Sequence, residues 1–475
     1  MALLSRRSFL RASAAALAPF SILQAKKPTD IKVDEVSFSY EDYLYRVPIK
    51  FGGTPVDRVT LLNVNCVVSN RTGKSAKGFG SMPLGNIWAW PSQKYGYEQT
   101  LAVMKAMTER MQKVTAGYKE YGHPIDINHN LDADYTKATD AVRQQRGITE
   151  PVPQLATLVV ASPFDAAIHD AFGKLYGVSS YKTYGPEHMS YDLGHYIGPE
   201  FKGEYLNKYV LDKPKVRMPL YHLVGALDPL VESDIQKRVN DGMPETLPEW
   251  INHNGLTNIK IKLNGSDLKW DVDRVLGVDR VSSEAQRKRG VSKWVYSLDF
   301  NEKCPNVEYL LTFLRQIKER APAGFDRIQY IEQPTSRDLK AHRENVMHQA
   351  AKIKPIVVDE AFDSEESFQL AREMGYTGAA LKACKTQSHA LLMGAVVQKA
   401  RMFLCVQDLT CPGASLIHSA GLSAHVPGVA AIEANSRQYV PAANKGWEKK
   451  HPGLFIVKDG MMDTSTLDRP GLSAV

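Results

Sequence analysis

Cysteine is scarce and scattered in this 475-residue chain. Cys66, Cys304, Cys384, Cys405 and Cys411 form no C-x-x-C pair, and their odd number leaves at least one unpaired. A small disulfide-stapled scaffold is thereby excluded. Long apolar runs are also lacking: beyond residue 30 no stretch of 18 or more residues is apolar without interruption, so no membrane span is expected. Charge of one sign is not concentrated, since 59 Lys and Arg against 52 Asp and Glu leave +7 over the whole chain. That weak basic bias is unlike the clustered charge of a nucleic-acid binder, and no nucleic-acid partner is expected. There is no internal repeat and no low-complexity tract. What remains is an ordinary globular composition, 43% hydrophobic and 23% charged, which excludes a mainly disordered chain or a collagen-like fibre. The length suits two or three domains.

The first residues read as an address. Arg6-Arg7, inside Ser5-Arg6-Arg7-Ser8-Phe9-Leu10, precede an Ala-rich apolar run over 12–23 and a polar end, Gln24-Ala25-Lys26-Lys27. A twin arginine before a short, mildly apolar segment resembles a Tat export signal. The resemblance implies a signal peptide over residues 1–28, a Tat machinery partner, and a folded protein delivered to the periplasm or outside the cell. Because such substrates cross already folded, their cysteines could stay as thiols.

Two regions of different texture follow. Over 31–90, short alternating segments are separated by turn residues. Residues 59–68 read as a strand, Asn70-Arg71-Thr72-Gly73 as a turn and 75–80 as the returning strand. Residues 97–120 and 154–177 then read as helices, the second carrying Ala161, Phe164, Ala167, Ile168 and Phe172 at 3–4 spacing before Gly177. This is an α+β pattern, assigned to residues 29–190. From about 215 to 440, eight strand-like runs (220–224, 258–263, 294–299, 328–332, 356–359, 379–382, 403–407 and 429–432) alternate with mostly helical stretches. The helices include 307–320, 338–353 and 364–374, and residues 282–293 read as a charged, solvated insertion. Eight such units suggest an α/β fold of the (β/α)8 barrel type.

The polar residues at the strand ends carry the chemistry. In Asn258-Ile259-Lys260-Ile261-Lys262-Leu263, the period of two sets the isoleucines against Lys260 and Lys262. With the apolar face towards the helices, both lysines would point into the barrel, where they require anions. Asp299, Glu332 and Asp359 end the next three runs, about one β/α unit apart, and Lys382 ends the sixth. Three oxygen ligands on adjacent strands suit a hard divalent cation, for which Mg2+ is the usual choice. A purely structural ion-pair network is the plainer alternative, but the ordered set of five is a specific signal.

This set resembles the enolase superfamily, in its muconate-lactonizing-enzyme and mandelate-racemase-like branch. The matching elements are Lys260-x-Lys262, Asp299-x-Asn301, Glu332-Gln333-Pro334, Asp359-Glu360, Leu381-Lys382, the helix 162–177 and Asp468-Arg469-Pro470-Gly471-Leu472. The resemblance implies a modified barrel under an N-terminal α+β capping domain that is completed by the tail, about 445–475. It implies Mg2+ on Asp299, Glu332 and Asp359, with Lys262 and Lys382 as acid/base catalysts. Lys260 would tune Lys262 and meet the carboxylate of a small-molecule substrate, and residues 78–92 would form a capping loop in which Trp88 and Trp90 could line the substrate.

The implied reaction is abstraction of the α-proton of a carboxylic acid, giving an enediolate that Mg2+ stabilises. Lysines on both faces favour a racemase, epimerase or cycloisomerase. A dehydratase or other β-elimination lyase acting on a sugar-derived acid is the alternative. An exported, non-catalytic binding protein is a third reading, disfavoured because all five charged residues are retained. Departures from the family concern the substrate: Lys385-Thr386-Gln387 replaces Lys-x-Gly-Gly, Glu433-Ala434-Asn435 replaces Asp-x-Asp, and Gln407-Asp408 ends the seventh strand where other members carry a His. Asn301, Asp408 and Glu433 are candidate substrate-contacting or tuning residues. His418 and His425 read as packing or surface residues, and a homo-oligomer is compatible with the sequence.

Overall fold

The computed structural model describes residues 27–51 and 53–474, so the twin-arginine segment lies outside the described residues. β1 (Ile31–Phe51) and β2 (Thr54–Asn70) form a long antiparallel hairpin, and β3 (Ser75–Pro83) pairs with the other edge of β2. The turn into β3 closes where Asn70 Oδ1 accepts the backbone N–H groups of Thr72 and Lys74. These strands are longer than the alternation suggested. The extra length of the β1–β2 hairpin overhangs the barrel, where Ile49 and Val56 bury against Leu223 and Tyr439.

Helices Tyr97–Gly117 and Gln154–Tyr176 pack on this sheet, and Pro124–Gln145 packs on those two helices. Pro124–Gln145 was not anticipated, because its apolar residues Ile125, Leu131, Tyr135 and Val142 are sparse among polar ones. Gly78 and Gly80 of β3 let Gln154–Tyr176 approach: a Cβ at either would stand 2.0 Å from a carbonyl oxygen of Ala167 or Pro163. Among the described residues, Gln154–Tyr176 is the one helix long and apolar enough to cross a membrane by length and composition. Its apolar stretch is fully buried, so that surface belongs to the core between sheet and barrel.

The second layer is a closed parallel barrel. β4 (Arg217–Val224), β5 (Asn258–Lys262), β6 (Val295–Asp299), β7 (Ile328–Glu332), β8 (Ile356–Val358), β9 (Gly378–Leu381), β10 (Phe403–Val406) and β11 (Val429–Glu433) pair in sequence order, and β11 pairs back onto β4. The architecture is therefore a (β/α)8 barrel with an N-terminal α+β cap. The tail adds β12 (Met461–Asp463) antiparallel to β4, then returns to the cap, where Leu472 N–H donates to Asp170 Oδ1.

Two helix expectations change. Residues 338–353 are mostly turns, with only His348–Ala351 helical. Over 338–346 Leu339 is the one buried apolar residue and residues 340–344 are exposed, so that stretch has no apolar stripe to seat a helix. Residues 282–293 are not an insertion: helix Leu268–Lys288 runs into them, and its buried stripe of Val272, Val275, Val278, Val281 and Ala285 continues beneath the charged face.

Candidate active site

Strand alternation builds the barrel interior in two levels. Tyr221, Tyr330, Val357, Ala380, Cys405 and Ala431 form a small apolar floor. Two residues further along their strands stand Glu332, Asp359, Lys382, Gln407 and Glu433, all buried. Lys260, Lys262 and Asp299 join them from β5 and β6. The outward partners Ile259, Ile261, Leu298, Ile331, Val358, Leu381, Val406 and Ile432 belong to the main core under the helices.

Lys260 is the hub of this level. Its Nζ donates to Glu332 Oε1 (2.8 Å), Glu433 Oε2 (2.7 Å) and Gln407 Oε1 (2.7 Å), and lies 3.0 Å from Asp299 Oδ2. Burial alone would lower the pKa of its ammonium, but Asp299, Glu332 and Glu433 together drive it well above the ordinary value. Lys262 donates to the same Asp299 Oδ2. Burial would raise the Asp299 carboxyl, yet Lys260 and Lys262 hold it well below the usual range. Glu332 goes the other way, raised by burial and by the charges of Asp299 and Asp359.

Across the barrel, Lys382 Nζ lies 2.9 Å from Asp359 Oδ2 and 3.4 Å from the Asp408 carbonyl. Its pKa is raised because Asp359 overcomes the effect of burial. Asp359 is itself lowered against burial by Lys382 and Lys385. Lys385 is buried and ties down the segment after β8 by donating to the carbonyls of Asp359 (2.5 Å) and Phe362 (2.9 Å). Gln333, at a positive φ of 29°, uses Oε1 to accept the N–H groups of Asp359 (3.0 Å) and Ala361 (3.2 Å). Gln333 and Lys385 thus hold the backbone around Asp359 in place. Sequence reasoning quoted Gln333, Lys385 and Gln407 without finding their roles; their adjacency to charged strand ends was the available signal.

The other candidates gather at the rim. Asn301 N–H donates to Asp299 Oδ1 (2.8 Å), and its Nδ2 donates to Glu360 Oε1 (3.3 Å). Burial and the neighbouring Asp359 push Glu360 up to about 7. Asp408 is also pushed up to about 7, by burial and by Glu433, and its oxygens accept the N–H groups of Thr410 and Asn435. His418 and His425 lie buried in helix Ala414–His425, away from this set of contacts. Trp88 reaches the site from the cap, whereas Trp90 donates to Glu150 on the cap itself.

The donor chemistry suits a divalent cation. Asp299, Glu332 and Asp359 supply hard oxygens from three consecutive strand ends. Six buried carboxylates (Asp299, Glu332, Asp359, Glu360, Asp408 and Glu433) accompany four buried lysines (Lys260, Lys262, Lys382 and Lys385). Arg437 is bonded instead to Asn254 and His222. Asp359 Oδ2 accepts no well-directed hydrogen bond despite the nearby Lys382. As the side chains stand, ammonium groups rest against these oxygens. Among the described residues no three His, Cys, Asp or Glu side chains are grouped to hold an ion. Cation binding would therefore replace lysine contacts on the carboxylates.

No family model and no curated protein matches the sequence. Solved structures do match the fold. A muconate lactonizing enzyme from Pseudomonas fluorescens, complexed with muconolactone, is 16% identical, with 93% of this chain and 95% of that one covered and a TM-score of 0.57. A dipeptide epimerase from Enterococcus faecalis V583, complexed with Mg and the dipeptide L-Leu-L-Tyr, is 14% identical, with 93% and 99% covered and a TM-score of 0.60. A 2-chloromuconate cycloisomerase from Rhodococcus opacus 1CP is 15% identical, with 93% and 96% covered and a TM-score of 0.57. At such identities the likeness concerns architecture: the chain shares the capped (β/α)8-barrel fold of these solved structures.

Proposed function

We propose that the protein is an enolase-superfamily enzyme that removes the α-proton of a carboxylic acid. In this reading Lys262 and Lys382 are the acid/base pair, and Asp299, Glu332 and Asp359 hold Mg2+. One observation carries it: the two lysines stand at the C-terminal ends of β5 and β9, Lys382 just after its strand, four strands apart and hence opposite in an eight-stranded barrel, and the three carboxylates stand at or just after the ends of the strands between them. The Mg-bound dipeptide epimerase of the same fold adds support.

A proton α to a carboxylate is a very weak acid, because its removal makes a dianion. The cation, when bound, would supply positive charge at the substrate carboxylate where that second negative charge develops. The chain's own residues move the proton. A lysine takes a proton only as the free amine, so one of the pair begins uncharged and the other as ammonium. Removal by one and return by the other inverts the carbon, which favours racemisation or epimerisation; cycloisomerisation uses the same first step. Lys260 would meet the substrate carboxylate, with Asp408, Glu433 and Asn301 beside the rest of the molecule. A β-elimination would use the same groups and is separated from inversion by its dehydrated product.

The test is α-proton exchange in deuterium oxide over a panel of carboxylic acids, with Mg2+ and then with a chelator. Exchange of at least one acid that stops on chelation is expected; exchange of none in the presence of Mg2+ would overturn the reading. Export through the Tat pathway to the periplasm or beyond is proposed on the Arg6-Arg7 segment.

A further inference from the structure

The geometry points to Trp88, a residue of the cap, as a positioning residue for Lys382, acting on one of the two faces of the proton-transfer site. This inference rests on the two-lysine reading above.

Trp88 lies in the short helix Asn86–Ala89 and is buried. Its indole ring centroid is 4.3 Å from Lys382 Nζ. The indole Nε1–H donates to Glu360 Oε1 (3.0 Å), and the Trp88 carbonyl accepts from Arg337 Nη2 (3.0 Å). Arg337 is in turn clamped on Glu302, Nε lying 2.8 and 2.9 Å from its two carboxylate oxygens. Residues following β6, β7 and β8 therefore fix the ring from below. The cap backbone also comes close: a Cβ on Gly85, whose φ is 49°, would stand 2.4 Å from Leu409 Cδ2, in the segment after β10.

Three groups surround the Lys382 ammonium: the Asp359 carboxylate, the Asp408 carbonyl and the indole. They differ in kind. Asp359 is assigned to the cation, so its oxygens are not a dedicated support for the lysine. The Asp408 carbonyl is distant, at 3.4 Å. The indole attracts the ammonium through its ring quadrupole without taking a directed hydrogen bond, which leaves an N–H free for transfer. A long, flexible lysine gains most from such a fixed wall. Lys262 likewise rests on a carboxylate assigned to the cation, Asp299, but among the described residues no ring contact accompanies it, so the cap ring bears on Lys382 alone. The cap should thus control the Lys382 face more than the Lys262 face.

The experiment compares W88F, W88L and K382A with the unaltered protein. It measures α-proton exchange separately for each enantiomer of an acid that the protein turns over. K382A identifies the enantiomer served by Lys382. W88L should slow exchange of that enantiomer by about ten- to thirtyfold, the range set by loss of a desolvated cation–π contact, and leave the other within about threefold. W88F keeps a ring face but loses the bond to Glu360, and should retain most of the exchange. In 13C-lysine-labelled protein, the Lys382 ε-methylene signal, identified by its loss in K382A, should be ring-shifted and return towards the ordinary position in W88L only. Equal slowing of both enantiomers in W88L, or equal losses in W88F and W88L, would overturn the inference. K382A losing both enantiomers or neither would instead overturn the two-lysine reading, and this inference with it.

Discussion

Replacing Lys260 with Met tests whether the hub of the site holds its charges together. Met conserves most of the length and removes the ammonium, so Glu332 and Glu433 lose their lysine partner at 2.8 and 2.7 Å, while Asp299 loses one at 3.0 Å and keeps Lys262. All three carboxylates are buried. Removing one partner of a buried ion pair costs about 3–5 kcal/mol, because the charge left behind is neither solvated nor paired. For a barrel of this size that corresponds to a fall in Tm of roughly 6–20 °C. Adding Glu332→Gln to the Lys260 variant removes one of the orphaned charges, and should restore about 1–2 kcal/mol. The assay is thermal and urea unfolding of the single and double variants beside the unaltered protein. A Lys260→Met protein whose Tm falls by less than about 2 °C, or a double variant no more stable than the single, would refute the picture of Lys260 as the buried counter-ion.

The two catalytic candidates should give mirror-image losses: Lys382→Ala keeps α-proton exchange of one enantiomer and Lys262→Ala keeps exchange of the other, read by NMR, whereas equal exchange of both by both variants excludes them as stereospecific bases. His418 is buried with neither ring nitrogen bonded, and burial lowers its pKa from 6.5 to about 4. Its contribution to stability is therefore fully present above pH 6.5 and lost as the pH falls towards 4, by about 1.4 kcal/mol per pH unit. His418→Leu should flatten the acid side of the stability profile by that amount, and urea unfolding at pH 4.5 and 7.5 measures the difference. Lys replacements of Arg6 and Arg7 should leave the protein in the cytoplasm, as fractionation would show; unchanged export would rule out a twin-arginine signal.

The sequence by itself determined the barrel and the ordered polar residues at its strand ends. Both follow from local chemistry: alternation turns Lys260 and Lys262 away from Ile259 and Ile261, and the recurrence of β/α units brings Asp299, Glu332, Asp359 and Lys382 to successive strand ends. Where apolar spacing was sparse, as in Pro124–Gln145 and residues 338–353, local pattern did not settle the element. Only the tertiary structure decided which charged groups meet. Lys260 and Glu433 are 173 residues apart and become neighbours because β11 closes onto β4. Trp88 and Glu360, 272 residues apart, meet because the cap descends onto the barrel mouth. Gln407, Lys385 and Glu360 acquire their roles the same way, from partners on other strands. Spacing along a chain encodes which face a side chain takes, but contact across a closed barrel depends on register, closure and the seating of a second domain, which no local pattern contains.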